Sequence, residues 1–338
     1  MANQKTAVVI PNWNGKDHLP VCLDSLKGQS HPADTIVVEN GSTDGSAQFI
    51  EKSYPDITLL KNARNLGFAG GVNTGIRFAL EHNYEYVALL NNDARADSQW
   101  LKNLVEFMSK NSKAGIVTSK MCATDGKHLD STGDTYTIWG LPFPRGRDEL
   151  DTGQYDNSRW VFGASGGASL YRSKMLEEVG LFDEDFFAYY EDIDISFRAQ
   201  LAGWKVGYEP KAMVYHQIGG TSSKIKGFAA YQTLKNLPML MWKNVPWRLM
   251  PKVWPRLTLA YLFIAGRALG RGQFGPFFKG TISGIILLPG KLVERHRIQA
   301  NRKVSLSYIN SLIVHDLPPN ATKLRKLRSL WWKIRKPR

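Results

Sequence analysis

Tyr86-Val87-Ala88-Leu89-Leu90 is a run of five apolar, β-favouring residues, and Asn91-Asn92-Asp93 follows it without a spacer. Such a run reads as a fully buried strand, and open α/β sheets bind their ligands at the carboxyl ends of such strands, where the polar triplet falls. Asp93 is therefore the first candidate ligand residue. The competing reading is that the triplet caps a helix beginning near Ser98, since Asn and Asp satisfy free amide groups at helix starts.

The preceding chain repeats the pattern. Thr6-Ala7-Val8-Val9-Ile10 is a buried-type strand ended by Pro11, and the turn Asn12-Trp13-Asn14-Gly15 leads into a helix carrying Leu19, Cys22, Leu23 and Leu26. Thr35-Ile36-Val37-Val38 is a second strand, closing in the polar loop 39–46 before a helix over Ala47 to Lys52. Ile57-Thr58-Leu59-Leu60 is a third, and the glycine-rich stretch 64–75 bridges it to a helix reaching about His82. Glycines permit close backbone approach, and a helix amino terminus faces an anion well. The stretch is neither a Walker loop nor a dinucleotide fingerprint, because it lacks both Gly-Lys-Ser/Thr and the G-x-G-x-x-G spacing. Strands alternating with helices at this spacing predict an α/β fold with a parallel, doubly wound sheet. Its polar strand ends suit a nucleotide, and a carboxylate among them suits a divalent cation clamped to phosphate oxygens.

Four segments, Val8 to Asn14, Val37 to Ser46, Asn65 to Gly75 and Leu89 to Asp93, resemble in order and spacing the family 2 glycosyltransferases of the GT-A (nucleotide-diphospho-sugar transferase) fold, especially the rhamnosyltransferase-like branch. The resemblance covers roughly residues 5 to 235. It implies a mixed, mainly parallel sheet and an inverting transfer from a nucleotide-sugar donor, dTDP-rhamnose or a UDP-sugar, with Mg2+ or Mn2+. It places the donor against Pro11, Trp13, Asn14, Glu39, Asn40, Asp44, Asn65, Gly71, Asn73, Asn91 and Asn92. The family's Asp-x-Asp falls on Asn91-Asn92-Asp93, so Asp93 alone keeps a metal-binding carboxylate, and Glu39 stands where the family commonly has Asp. His216 matches the family's late histidine, a metal ligand or diphosphate contact, although a lone histidine is otherwise an ordinary hydrogen-bonded residue. Thr221, Ser222 and Ser223 would open a loop over the donor, with Lys224 and Lys226 near phosphate.

Asp192 stands where the family's catalytic base sits in a Glu-Asp-x-Asp pattern. Displacing a nucleoside diphosphate from an anomeric carbon needs an acceptor hydroxyl, a base for its proton and positive charge for the leaving group. The alternative is that Asp192 and Asp194 simply favour the first turn of a helix. Trp160, Gly166, Gly167, Glu191 and Asp194 complete an expected acceptor side. Residues 122–160 read as an acceptor-side insertion or as a disordered surface loop, and Tyr136, Trp139, Phe143 and Trp160 weigh against the loop. Lys205 to Glu209 and Ala212 to Tyr215 read as two short strands.

The net charge of +14 is unevenly placed: residues 241–338 hold 20 Lys and Arg against only Glu294 and Asp316, so the body before them is net acidic. A glycosyltransferase domain over 1–235 is thus expected to precede a mostly helical, aromatic and basic region over 236–338. Trp242, Trp247, Trp254, Tyr261 and Phe263 alternate there with Lys243, Arg248, Lys252, Arg256 and Arg267, which suits a helix lying in the membrane interface. The apolar runs Leu257 to Ala265 and Thr281 to Pro289 fall short of the ~20 residues of a spanning helix. A spanning segment and a packing surface for a homo-oligomer are the alternatives. Lys323 to Lys336 reads as a basic amphipathic anchor for an anionic membrane surface. With no recognisable nucleic-acid module beside that charge, nucleic acid is not an expected partner. Cys22 and Cys122 make neither a disulfide framework nor a zinc site, and no signal peptide is recognised, so peripheral attachment at the cytoplasmic face is expected. The implied acceptor is a lipid-linked (polyprenyl diphosphate) saccharide in cell-surface glycan assembly. Against it stands a non-catalytic, membrane-bound nucleotide-binding scaffold.

Overall fold

The computed structural model describes residues 5–217 and 225–317. β1 (Thr6–Asn12), α1 (Leu19–Lys27), β2 (Asp34–Asn40), α2 (Ser46–Ser53), β3 (Thr58–Asn62), α3 (Gly67–Glu81) and β4 (Tyr86–Leu90) are the expected alternating units. The strands pair in parallel in the order β4-β1-β2-β3. Along β1, Val8 and Ile10 enter one apolar layer and Ala7 and Val9 the other, and burial on both faces is why these strands are unbroken apolar runs. The chain leaves β1 towards β2 and β3 and comes back on its other side with β4, so the order reverses between β1 and β4, where open sheets bind ligands. Pro11 does not end β1: it sits opposite Val38, and Asn12 opposite Glu39. Pairing with β4 stops at Val9, so Pro11 has a ladder neighbour on one side only and its missing N–H is tolerated.

The second half comprises β5 (Ala94–Ala96), α4 (Trp100–Lys110), β6 (Ala114–Ala123), β7 (Leu129–Ser131), β8 (Asp134–Tyr136), β9 (Pro142–Pro144), β10 (Trp160–Val161), β11 (Ala168–Arg172), α5 (Ser173–Val179), α6 (Glu191–Leu201) and β12 (Lys205–His216). β11 runs antiparallel between β4 and β6, and β12 parallel to β6, which makes the sheet mixed and mainly parallel. The two short strands expected before His216 are one strand, β12, whose register shifts between Glu209 and Met213. Residues 122–160 are not a loose surface loop, since β7 pairs with β6 and β8 with β9. Tyr136 stacks on Phe162 with ring centroids 5.3 Å apart and belongs to the core.

α7 (Phe228–Asn244), α8 (Met250–Gly270), α9 (Phe274–Ala300) and α10 (Leu306–Leu312) complete the described chain. α7 runs through the boundary expected at 235/236, and its Leu237, Leu240 and Met241 share a core with Phe186, Ile193 and Phe197 of the body. Gly280 and Gly284 let α9 close on α7: a Cβ at Gly280 would lie 2.6 Å from Tyr231 O, and one at Gly284 3.0 Å from Lys235 O. Pro238 deprives Leu234 O of its helical donor, and Tyr261 Oη donates to that carbonyl instead at 3.2 Å. No helix among the described residues is long and apolar enough to cross a membrane. The loop residues Thr221 to Lys224 and the basic anchor Lys323 to Lys336 lie outside the described residues.

Candidate active site

A cavity of about 640 Å³ opens at the carboxyl ends of β1 and β4, within the size range of small-ligand pockets. It brings together Pro11, Trp13, Asn40, Asn65, Asn91, Asn92, Asp93, Gly166, Gly167, Glu191, Asp192 and His216, which lie up to two hundred residues apart in the chain.

Its floor is a chain of hydrogen bonds across strand ends that finishes on the Glu39 carboxylate. Asn92 Nδ2 donates to Asn12 Oδ1 at 2.7 Å, and Asn12 Nδ2 to Glu39 Oε2 at 2.9 Å. Glu39 also accepts from Ser46 Oγ at 2.7 Å and Ser42 N at 3.1 Å, so it lies beneath the floor and does not line the cavity. Asp44 accepts from Lys16 N and Ser46 Oγ, and Asn14 Oδ1 from Thr43 N; both fix loops beside the cavity. Gly71 allows close approach, since a Cβ there would lie 3.0 Å from Asn40 Nδ2. Asn73 points elsewhere, donating to Phe182 O and Glu184 Oε1. Asn14, Glu39, Asp44, Gly71 and Asn73 thus support the donor wall without facing the cavity. The capping reading of Asn91-Asn92-Asp93 fails, because β5 intervenes and α4 starts after Gln99, whose N–H is bound by Asp97.

Ala94 pairs with His216 across β5 and β12, and this pairing brings Asp93 to the histidine. Asp93 Oδ1 is buried 3.1 Å from His216 Nε2, an ion pair when the ring is protonated, and has no other hydrogen-bond partner. On the other side of the ring, His216 Nδ1 faces Asp130 Oδ2 at 2.8 Å, and Arg147 Nη2 holds Asp130 Oδ1 at 2.7 Å. A carboxylate behind the far nitrogen fixes the histidine tautomer that turns Nε2 to a metal. Adjacent ligands bonded at ~2.1 Å in an octahedral shell lie about 3 Å apart. That oxygen and the nitrogen therefore fit a divalent cation. In the protein alone, burial opposes charge on His216, but the Asp130 and Asp93 carboxylates outweigh it and raise its pKa to about 9.

Asp192 enters from the first turn of α6. Its Oδ2 accepts from Gly166 N at 3.0 Å and its Oδ1 from Ile193 N at 2.8 Å. Burial raises its pKa above the ordinary carboxylate value, against the lowering effect of those amides. Burial, with the Asp192 charge, also raises Glu191 and Asp134. A carboxylate of raised pKa is a better proton acceptor than a solvated one. Asp194 faces away: Arg198 Nε at 2.9 Å, Lys243 Nζ at 3.0 Å and Asn244 Nδ2 at 2.7 Å consume it, so it ties α6 to α7 and does not meet an acceptor. Trp160 stands edge-on to Phe107 on the outermost strand and does not line the cavity.

Asn12, although inside the first resembling segment, was not among the expected donor residues, and Asp130, Arg147 and the loop before α6 were not expected at the site. Phe187 has φ 63° and ψ −60°, with Ala188 N bonded to Phe186 O, a strained γ-turn. Tyr189 and Tyr190 are also left-handed, at φ 68° and 73°, a costly conformation for bulky residues. α7 clamps this loop: Asn236 Nδ2 contacts Phe186 O, Ala188 O and Tyr189 O at 2.8–3.0 Å, and Lys235 Nζ donates to Asp185 O at 2.7 Å. Phe187 and Tyr189 then line the cavity beside Phe228. The one cue was a Lys-Asn pair inside an apolar helical run. A second acidic group, Asp183, Asp185 and Glu294, is close enough to share a cation. Lys291 Nζ already fills it, at 2.6, 2.8 and 2.7 Å, so it is an ion network.

Residues 7–180 match the model of glycosyl transferase family 2. The chain is 29% identical over 233 residues to the N-acetylglucosaminyl-diphospho-decaprenol L-rhamnosyltransferase of Mycobacterium tuberculosis, covering 62% of this chain and 75% of that one. It is 25% identical over 207 residues to the low-salt glycan biosynthesis hexosyltransferase Agl10 of Haloferax volcanii, covering 60% and 63%. Among solved structures, Staphylococcus aureus TarS 1-349 in complex with UDP matches with a TM-score of 0.54 at 15% identity over 91% of this chain and 92% of that one. A mannosyltransferase of Pyrobaculum calidifontis in complex with GDP-Man and Mn2+ matches with a TM-score of 0.51 at 17% identity over 91% and 78%. At such identities the structures speak to the fold, which is GT-A. The chain is a glycosyltransferase and belongs to glycosyl transferase family 2.

Proposed function

We propose that this enzyme transfers a sugar, with inversion, from a nucleotide-sugar donor to a polyprenyl diphosphate-linked saccharide in cell-surface glycan assembly, working from the cytoplasmic face of the membrane. The observation that carries the reading is the shared cavity, with Asp192 on one wall and the Asp93–His216 pair on the other. The donor lies over the strand ends of β1 and β4, its diphosphate towards Asp93 and His216. The acceptor hydroxyl approaches Asp192, which takes its proton as the new bond to the anomeric carbon forms. The bond from that carbon to the diphosphate oxygen breaks on the opposite face, and its electron pair leaves with the nucleotide. Asp93 and His216 would hold a divalent cation, Mg2+ or Mn2+, which would supply positive charge to that leaving group. Asn91, standing where the family has a first carboxylate, keeps a hydrogen-bonding group but adds no charge, so metal binding by the empty protein is weak.

The donor we favour is dTDP-rhamnose, on the strength of the mycobacterial rhamnosyltransferase. A UDP-sugar is the second reading, favoured by the UDP complex of the structural neighbour. Thermal-shift measurements with dTDP, UDP and their sugars, each with and without Mn2+, separate the two, since a bound donor stabilises the folded state. Stronger stabilisation by UDP overturns the rhamnose reading.

A further inference from the structure

α8 and α9 form a hairpin, tied by a 3.0 Å hydrogen bond between Tyr261 Oη and Thr281 Oγ1, that turns apolar side chains outwards. On α9, Phe274, Phe278, Ile282, Ile285, Ile286 and Val293 form one stripe at helical spacing, with Ile286 70% and Val293 74% exposed. α8 adds Leu259, Leu262 and Phe263, all more than half exposed. Soluble monomers rarely leave so long an apolar stripe in water. The exposed charges around it have one sign, from Arg256, Arg267, Arg271, Lys279 and Arg297. The single acidic residue of the two helices, Glu294, is consumed by Lys243 and Lys291.

The hairpin also touches the cavity rim. A Cβ on Gly227 would lie 2.4 Å from Pro276 Cγ, so the start of α7 abuts the first turn of α9. Ile225 and Phe228, on either side of that contact, line the cavity. The Phe228 ring lies 6.2 Å from Phe187 and 5.9 Å from Tyr189. An aromatic rim therefore connects the cavity with the exposed hairpin.

We infer that the α8–α9 stripe seats on an anionic lipid leaflet, and that the Phe187–Tyr189–Phe228 rim passes the acceptor's hydrocarbon chain from the leaflet to the cavity. The stripe dips into the headgroup layer and the flanking cations meet anionic headgroups. A second copy of the chain is a poorer occupant, because a symmetric pair would set these cations against each other. The rim assignment rests on the lipid-linked acceptor reading; the lipid seat does not.

The test uses the full chain, without donor or acceptor, and vesicles of phosphatidylcholine with or without phosphatidylglycerol, so its failure is separate from any failure of transfer. The exposed double substitution Ile285→Glu with Ile286→Glu is expected to lower partition onto the anionic vesicles about tenfold or more. Polarity-sensitive probes on Ile282→Cys and on Ile225→Cys at the rim are expected to shift to the blue with those vesicles alone; Cys22 and Cys122 are buried and leave the labelling selective. Wild-type partition by the double variant, or an unmoved Ile282→Cys probe, overturns the lipid seat. So does a dimer that the double variant splits. An unmoved Ile225→Cys probe overturns the rim.

Discussion

The donor wall of the cavity is made of strand ends and held by hydrogen bonds among small polar side chains that converge on one carboxylate, as in the Asn92–Asn12–Glu39–Ser46 chain. The acceptor wall is made of α6 and the strained loop before it, and is held by buried ions and by α7. The first wall stands on strand ends that the parallel pairing of β4, β1 and β2 brings side by side. In the second, α7 holds the loop before Asp192 through Lys235 and Asn236, and α6 itself through Lys243 and Asn244 on Asp194. Whatever attaches to α8 and α9 therefore acts close to the acceptor wall.

The sharpest break in the comparison is chemical. Asp192→Asn is expected to lower kcat by about 10²–10⁴-fold, the range of a lost general base, while nucleotide-induced stabilisation stays as in the wild type. Full turnover in that variant removes Asp192 from its role. Because the Asp192 pKa is raised above the ordinary carboxylate value, mainly by burial, the base is active above that raised pKa. The rate falls as pH drops through it, which a pH–rate profile reads directly.

The next effect is on stability. Lys243 contacts Asp183, Asp194 and Glu294 at 2.6–3.0 Å, and with Lys291 it holds the Asp183 carboxyl down at about 2 against burial. Lys243→Met leaves those buried carboxylates short of a cation and is expected to cost about 3–5 kcal/mol in denaturant unfolding. On the donor wall, Ser46→Ala removes a hydroxyl that donates to the Glu39 and Asp44 carboxylates and is expected to cost less, about 1.5–3 kcal/mol. Equal costs would erase the distinction between the walls.

The same contrast decides what the sequence made legible. Strand ends read well because each apolar run and its polar loop are contiguous, so Asp93, Asn40 and Trp13, which line the cavity, could be named from local pattern and resemblance. Burial on both faces gave the parallel sheet. Asp130 was invisible because its partner His216 lies 86 positions away and only the pairing of β7 with β6, beside β12, brings them together. Asp194 misled because an acidic residue two positions from the base looks functional until Lys243 and Asn244 are seen to consume it. Asn73 misled for a similar reason, since its amide bridges to Phe182 and Glu184 and not to the cavity.

Asp130 offers a finer probe, because it belongs to the insertion yet serves the donor wall through His216. Asp130→Asn is expected to weaken Mn2+ affinity in the presence of nucleotide by about 10–100-fold, as for other outer-shell partners of a metal-binding histidine. Titration calorimetry with Mn2+ and UDP or dTDP measures this without turnover, and Asp130→Glu is expected to restore part of it. An unchanged affinity would separate Asp130 from the metal corner.

The smallest effect is a stability slope. The His216 pKa is raised from 6.5 to about 9, since Asp130 and Asp93 outweigh burial. A group whose folded pKa is raised contributes its full stabilisation below its unfolded value and loses it as pH rises through the folded one. The protein without added metal is therefore expected to lose on the order of 1–3 kcal/mol between about pH 6.5 and 9 relative to His216→Gln. Denaturant unfolding of the pair across that window measures the difference. Parallel pH curves would mean that His216 carries no extra proton between the two carboxylates. Nucleotide with Mn2+ should flatten the wild-type slope, because a bound cation takes the place of that proton on Nε2.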